Sequence, residues 1–374
     1  MENNRLFTGK GTSQTNNYQK LPVIDPAKLT SPENYLASEG LAAAVETALT
    51  LGMPLLLTGE PGCGKSQLAY RLAWEMGFPG HPTRNNDTKL RNPIRFQIKS
   101  TTESRDLFYN FDTVGRFHAA QNTQFDPDAM APEKYITYQA LGLAILRAKG
   151  QSGINQIKSD RTILSQRQLM ELNSQPERSI VLLDEIDKAP RDVPNDILNE
   201  IEALEFAVPE LELTDPIRLE HHENPYRPIV IITSNSERDL PDAFLRRCVY
   251  YHIEFPPFSS DKASEVSVEN IIIRRLGDRY TQRSVFVREG LEIITFLRDN
   301  TTDLNKPPGI AEILNWFDYL AKLNESSRIV FDQQKGLKQL DLNLLGDSVK
   351  NTLLKTRDDQ QRADELIGEF MKNL

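Results

Sequence analysis

The sequence predicts an α/β protein: a five-stranded parallel sheet covered by helices, followed by a small all-α domain. Three observations carry the prediction. Five short apolar runs, at residues 54–58, 95–100, 179–184, 228–234 and 249–253, read as buried strands. Helical patterns lie between most of them, the alternation expected of a parallel sheet covered on both faces. The first run passes directly into a glycine-rich loop and then a helical pattern, and past Phe255 the chain is almost wholly helical in period.

A chain of 374 residues suits two domains. Residues 1–20 are polar, rich in Asn and Gln, and hold too few apolar side chains to offset the entropy of ordering, so they read as a disordered tail. Residues 21–255 read as the α/β domain, and residues 256–374, after Pro256, Pro257, Ser259 and Ser260, as the helical one.

Around Tyr35–Leu51 apolar residues fall at helical spacing, and Gly52 and Pro54 stop the helix before the first strand. The gap 101–178 is longer than one crossover helix needs and must hold inserted structure. Helices are expected near 140–149 and 163–172, and a hairpin within 108–118 turning at Asp112–Gly115. A second hairpin is expected between Leu204 and His222, where Leu211, Leu213, Ile217 and Leu219 alternate with polar residues around Asp215 and Pro216.

The 44 basic and 53 acidic side chains give a formal charge of −9, which works against nonspecific nucleic-acid binding but leaves room for a local basic patch. Two basic runs, one of Lys89, Arg91, Arg95 and Lys99 and one of Arg274, Arg275, Arg279 and Arg283, read as solvated faces. The five histidines show no metal spacing. Cys63 and Cys248 lack the spacing of a disulfide framework or a zinc site and fit a reducing cytoplasm. No apolar stretch reaches 18 residues and the start has no apolar signal region, so neither a membrane span nor export is expected.

The loop is Gly59-Glu60-Pro61-Gly62-Cys63-Gly64-Lys65-Ser66, with Gln67 in the first turn of the helix that follows. This is the G-x-x-x-x-G-K-[ST] pattern in the strand–loop–helix setting that gives it meaning, and it makes the expected domain a P-loop NTPase. Glycines at 59, 62 and 64 let successive N–H groups face phosphate oxygens, and the helix start offers its positive dipole end to the same anion. Lys65 is expected to reach the β- and γ-phosphates of ATP, and Ser66 to ligate Mg2+. Cys63 occupies a variable position and reads as a small filler.

The third run ends in Asp184-Glu185-Ile186-Asp187, at the carboxyl edge of the sheet where such folds bind ligands. This is a Walker B pattern. Asp184 is expected to hold magnesium through water, Glu185 to orient and polarise the attacking water, and Asp187 to cap or support the next helix.

On these motifs, with Leu198–Glu205 and Ile231–Asn235 in support, residues 31–325 resemble the AAA+ ATPases, and within them the MoxR-like branch, whose members carry two extra hairpins. The resemblance makes the helical domain a lid. It implies a polar sensor at the end of the fourth strand, here Asn235, bridging Glu185 and the γ-phosphate. It also implies an arginine finger before the fifth strand that enters a neighbouring subunit's site, with Arg247 the best match and Arg246 second. A finger implies a homo-oligomer, by resemblance a ring of six, and the branch implies protein partners with a von Willebrand factor A domain. One departure stands out: Lys306–Ile313, where relatives carry a second sensor arginine, has none and places Glu312 near that position. Lys306 and Arg298 are the substitutes in reach.

Three functions follow as expectations. The first is an ATPase motor that remodels or activates a protein partner. The second is a nucleotide-driven subunit of a DNA-processing, restriction or defence complex. The third, motivated by the missing arginine, is a nucleotide-gated scaffold with little turnover.

Overall fold

The computed structural model describes residues 31–77, 93–121, 131–157, 172, 174–235, 240–277, 284–299, 302–325, 336–337 and 340–372. The expected tail 1–20 and the expected helix over 163–172, apart from Leu172, lie outside them. The chain divides into two compact units. One is Ala37–Pro61 with Lys65–Glu254; the other is Phe255–Leu374, grouped with the described residues before Ala37 and with Gly62–Gly64.

The first unit is α/β. Its central strands are β1 (Leu55–Gly59), β2 (Ile94–Gln97), β3 (Ile180–Asp184), β4 (Ile229–Thr233) and β5 (Val249–Ile253), all parallel, in the order β2-β3-β4-β1-β5. Every residue of β1 and β3 is buried, because helices cover both faces, whereas the edge strands β2 and β5 alternate half-buried and exposed residues. The order sets β4 between β1 and β3, so the loop after β1 and the acids after β3 straddle the end of β4.

The helices of this unit are α1 (Glu39–Leu51), α2 (Lys65–Glu75), α3 (Thr113–Gln121), α4 (Ala140–Lys149), α5 (Gln151–Ile157), α6 (Val193–Ala203) and the short α7 (Asp242–Leu245). The first starts on Ser38, whose hydroxyl accepts from the Leu41 N–H, and ends on Gly52 in the left-handed region. Leu56, Val181, Leu183, Val230 and Ile232 join Leu141, Ile145, Ile197 and Phe244 in one apolar core.

Two expectations need correction. Tyr109–Phe111 does not turn back at Asp112–Gly115; it pairs antiparallel with Ile136–Tyr138, and α3 follows it directly. The Asp112 carboxylate accepts the Gly115 N–H at 2.8 Å and its carbonyl accepts the Arg116 N–H at 3.1 Å, which starts a helix where a turn was expected. The second hairpin is present but much shorter: only Glu205–Phe206 and Ile217–Arg218 pair. Pro209–Leu211 makes a 3-10 turn between them, closed by Glu212 at φ 50°.

The second unit is helical: α8 (Val268–Leu276), α9 (Val285–Arg298), α10 (Ile310–Glu325), α11 (Leu342–Thr352), α12 (Arg357–Gln361) and α13 (Ala363–Lys372). Trp316, Phe317, Phe286, Ile294, Val349 and Leu366 lie in its core, and the Trp316 indole N–H donates to Ser348 Oγ at 2.9 Å. Arg275 is mostly buried and donates twice to Asp318 Oδ2, so it does not belong to a solvated face. Arg279 and Arg283 lie outside the described residues. Arg298 stacks on Phe255 and donates to the Pro308 carbonyl, and the Lys306 N–H donates to Asp359.

Candidate active site

The site is built where β1, β3 and β4 end. After Gly59 (φ 144°) the chain turns through Glu60, Pro61, Gly62 (φ 81°), Cys63 and Gly64 (φ 95°) into α2, which opens at Lys65. These three positive φ values fall at glycines, the residues that adopt them without strain. Lys65 is buried, and its ammonium donates to the carbonyls of Gly59 at 2.9 Å and Glu60 at 3.0 Å, so a cation is held against the backbone of the loop. Cys63 is half-buried, and Gln67 lies one residue past Ser66 in the first turn of α2.

Ser66 faces the acidic strand. Its hydroxyl donates to Asp184 Oδ1 at 2.7 Å, joining residues 118 apart in the chain. Asp184 is 4% exposed and ends β3. The same oxygen accepts the Thr233 hydroxyl at 2.6 Å, and Oδ2 accepts the Arg95 guanidinium. Burial by itself would raise the Asp184 pKa, but hydrogen bonds from Thr233, Ser66 and Arg95, with the charge of Arg95, bring it below the ordinary carboxylate value. It is therefore ionised at neutral pH.

Glu185 follows in the left-handed region, at φ 63° and ψ 54°, a conformation that costs a non-glycine residue about 1 kcal/mol or more. Its N–H donates to Thr233 Oγ1 at 3.0 Å. Its carboxylate accepts from Lys188 Nζ at 2.6 Å and Gln97 Nε2 at 2.7 Å. The Lys188 hydrogen bond is the chief cause that holds its pKa below the ordinary value, so this carboxylate too is ionised. Asp187 does not cap a helix: Oδ1 accepts the Asn235 backbone N–H at 3.0 Å, tying the end of β4 to the acidic segment.

Compared with protein-family models the chain matches none, and a search of curated proteins gives no match.

Among the predicted site residues, Lys65, Ser66, Asp184 and Glu185 come together at one sheet edge. Asn235 stands beside them, joined through its backbone N–H to Asp187 and not to Glu185. Thr233, two residues earlier, touches both Asp184 and Glu185. Arg246 and Arg247 precede β5 and line, with Gly52, Pro54, Glu202 and Arg227, a pocket of about 240 Å³ at the amino ends of the strands. Arg247 pairs there with Glu202 at 3.0 Å. A five-residue strand spans about 17 Å, so these arginines and the acidic pair occupy opposite edges of one sheet.

Sequence reasoning missed Thr233, Gln97 and the role of Arg95. Arg95 reads as part of a solvated run but is ion-paired to Asp184; Lys89 and Arg91 lie outside the described residues. The usable signal was alternation: in Ile94-Arg95-Phe96-Gln97 the two polar residues share one face of an edge strand, and the register sets Gln97 beside Asp184.

Proposed function

We propose that this chain binds ATP with magnesium on the loop 59–66 and hydrolyses it, acting as an AAA+ ATPase of the MoxR type that remodels or activates a protein partner. The observation that carries the reading is the Ser66–Asp184 hydrogen bond at the mouth of a glycine loop: a hydroxyl and an ionised carboxylate, both hard oxygen donors, beside a buried lysine. That donor set suits a cation that prefers oxygen and keeps some of its waters.

In this reading the N–H groups of residues 59–66 and the start of α2 receive the phosphates, and Lys65 exchanges its loop carbonyls for the β- and γ-phosphate oxygens. Ser66 and Asp184 would hold magnesium, whose charge would offset that of the transferring phosphoryl group. Glu185, ionised and fixed by Gln97 and Lys188, orients water for attack and accepts its hydrogen bond. Arg247, with Arg246 beside it, lies on the far edge of the sheet and would act on a neighbouring copy's site, which favours a homo-oligomer. A ring of six and a partner with a von Willebrand factor A domain are what the resemblance adds.

The test is nucleotide binding and turnover in four proteins. Wild type binds fluorescent ATP analogues with magnesium and turns over ATP. Lys65→Ala abolishes binding, Glu185→Gln binds without multiple turnover, and Arg247→Ala binds but loses hydrolysis, as an arginine finger can contribute about 10³-fold or more in rate. Wild-type turnover in Lys65→Ala or Glu185→Gln contradicts the mechanism. Absence of nucleotide binding by the wild type removes its basis.

A further inference from the structure

One cation at the acidic site belongs to the chain itself. Arg95 stands on the edge strand β2 and reaches across to Asp184 Oδ2, while the hydroxyls of Ser66 and Thr233 both donate to Oδ1. The two partners differ in access: the Arg95 side chain is 45% exposed and that of Asp184 6%, so the guanidinium covers the carboxylate from the solvent side. A buried carboxylate that stays ionised needs a countercharge, and Arg95 supplies one.

We propose that Arg95 is a built-in countercharge that magnesium has to displace from Asp184, so that loading of a magnesium–nucleotide complex is a cation exchange whose magnesium threshold this arginine sets. The inference rests on the phosphate-loop reading above. A guanidinium does not lose its proton in proteins, so it can yield the carboxylate only by moving, and its half-exposed position gives it solvent to move into. The same carboxylate lone pairs would be needed by a magnesium ion and its waters, and a divalent cation beside Asp184 would repel the guanidinium. Arg95 also donates to Gln97 Oε1 at 3.3 Å, and Gln97 donates to Glu185, so its departure alters the group that holds the water-orienting carboxylate.

The experiment titrates MgCl2 into the full chain with a fixed amount of a fluorescent ATP analogue, starting from EDTA, and reads binding rather than hydrolysis. Arg95→Gln keeps a hydrogen-bond donor and removes the charge. Its half-saturating magnesium concentration should fall on the order of tenfold, because one charge-assisted hydrogen bond no longer has to be broken. Arg95→Lys keeps the charge and should stay near the wild-type value. Arg95→Ala, which should repeat the glutamine shift, serves if the glutamine variant does not fold. Superimposable wild-type and glutamine curves, a shift to higher magnesium, or equal shifts in the glutamine and lysine variants would each overturn the proposal while leaving the phosphate-loop reading standing. A wild type that binds no nucleotide at any magnesium concentration overturns both.

Discussion

Replacing Thr233 by valine keeps the shape of the side chain and removes one hydroxyl that bonds both the Asp184 carboxylate and the Glu185 backbone N–H. Thr233 closes β4 and is 1% exposed; it donates to Asp184 Oδ1 at 2.6 Å and accepts the Glu185 N–H at 3.0 Å. The first bond ends on a charged acceptor, a net contribution of about 1.5–3 kcal/mol. Losing the second strips a partner from the N–H of a residue already held in the left-handed region, which costs about 1 kcal/mol or more. The valine variant should therefore be about 2.5–4 kcal/mol less stable. At about 2–4 °C per kcal/mol for a domain of this size class, that lowers Tm by roughly 5–15 °C. Calorimetric or circular-dichroism melts would read it, with Thr233→Ser as the control, since serine restores the hydroxyl and loses one buried methyl, worth about 1 kcal/mol. The reasoning fails if valine is neutral to within about 0.5 kcal/mol, or if serine is as damaging as valine.

Two further predictions concern buried charge away from the site. Lys149 and Glu223 form an ion pair, both buried, completed by the Arg218 carbonyl, the Ser152 hydroxyl and the Glu220 N–H. Glu223→Gln leaves the ammonium without its anion and should cost about 3–5 kcal/mol in denaturant unfolding, whereas Lys149→Met with Glu223→Met should recover part of that loss; a cost for Glu223→Gln under about 1 kcal/mol would contradict it. In the helical unit Asp359 is fully buried and accepts from the Asn305 and Lys306 N–H groups and the Asn305 side chain. Burial opposes ionisation there, but these bonds and one from Thr356 outweigh it, so the folded pKa lies below the ordinary value. A depressed carboxylate stabilises above its unfolded pKa of about 3.9 and loses that contribution as pH falls through the folded value. Asp359→Asn should thus be less stable than wild type at neutral pH, with a gap that closes in acid; a pH-independent gap in urea titrations would refute this.

The parallel sheet was legible because its central strands are buried on both faces and their sequences are unbroken apolar runs, as in Ile180–Leu183 and Ile229–Ile232. The positions of Lys65, Ser66 and Asp184 followed from the same logic, since chemistry at the ends of parallel strands gathers at one edge. The first hairpin was misread because an Asp-x-x-Gly turn signal and an Asp helix cap look alike over four residues. What separates them is whether Tyr109–Phe111 finds a partner at once or at Ile136–Tyr138, a long-range choice that no local window contains. Arg95 was misread for a related reason: a charged residue on an edge strand appears solvated until the pairing with β3 shows which carboxylate lies within reach of its side chain.

Glu185 shows why this edge of the sheet holds more than a generic set of acids. Its left-handed backbone persists only if the surroundings over-determine it. Three side chains from three different segments do so: Thr233 takes its N–H, Gln97 one carboxylate contact and Lys188 another. Two of the three also serve another part of the site, since Thr233 is also on Asp184 and Gln97 is also on Arg95. A change in the charge seated at Asp184 therefore reaches Glu185 by two short routes, one through the hydroxyl of β4 and one through the polar face of β2. That shared wiring, more than the presence of the acidic pair, is the physical ground for expecting Glu185, the water-orienting carboxylate of the proposed mechanism, to respond to a cation placed beside Ser66.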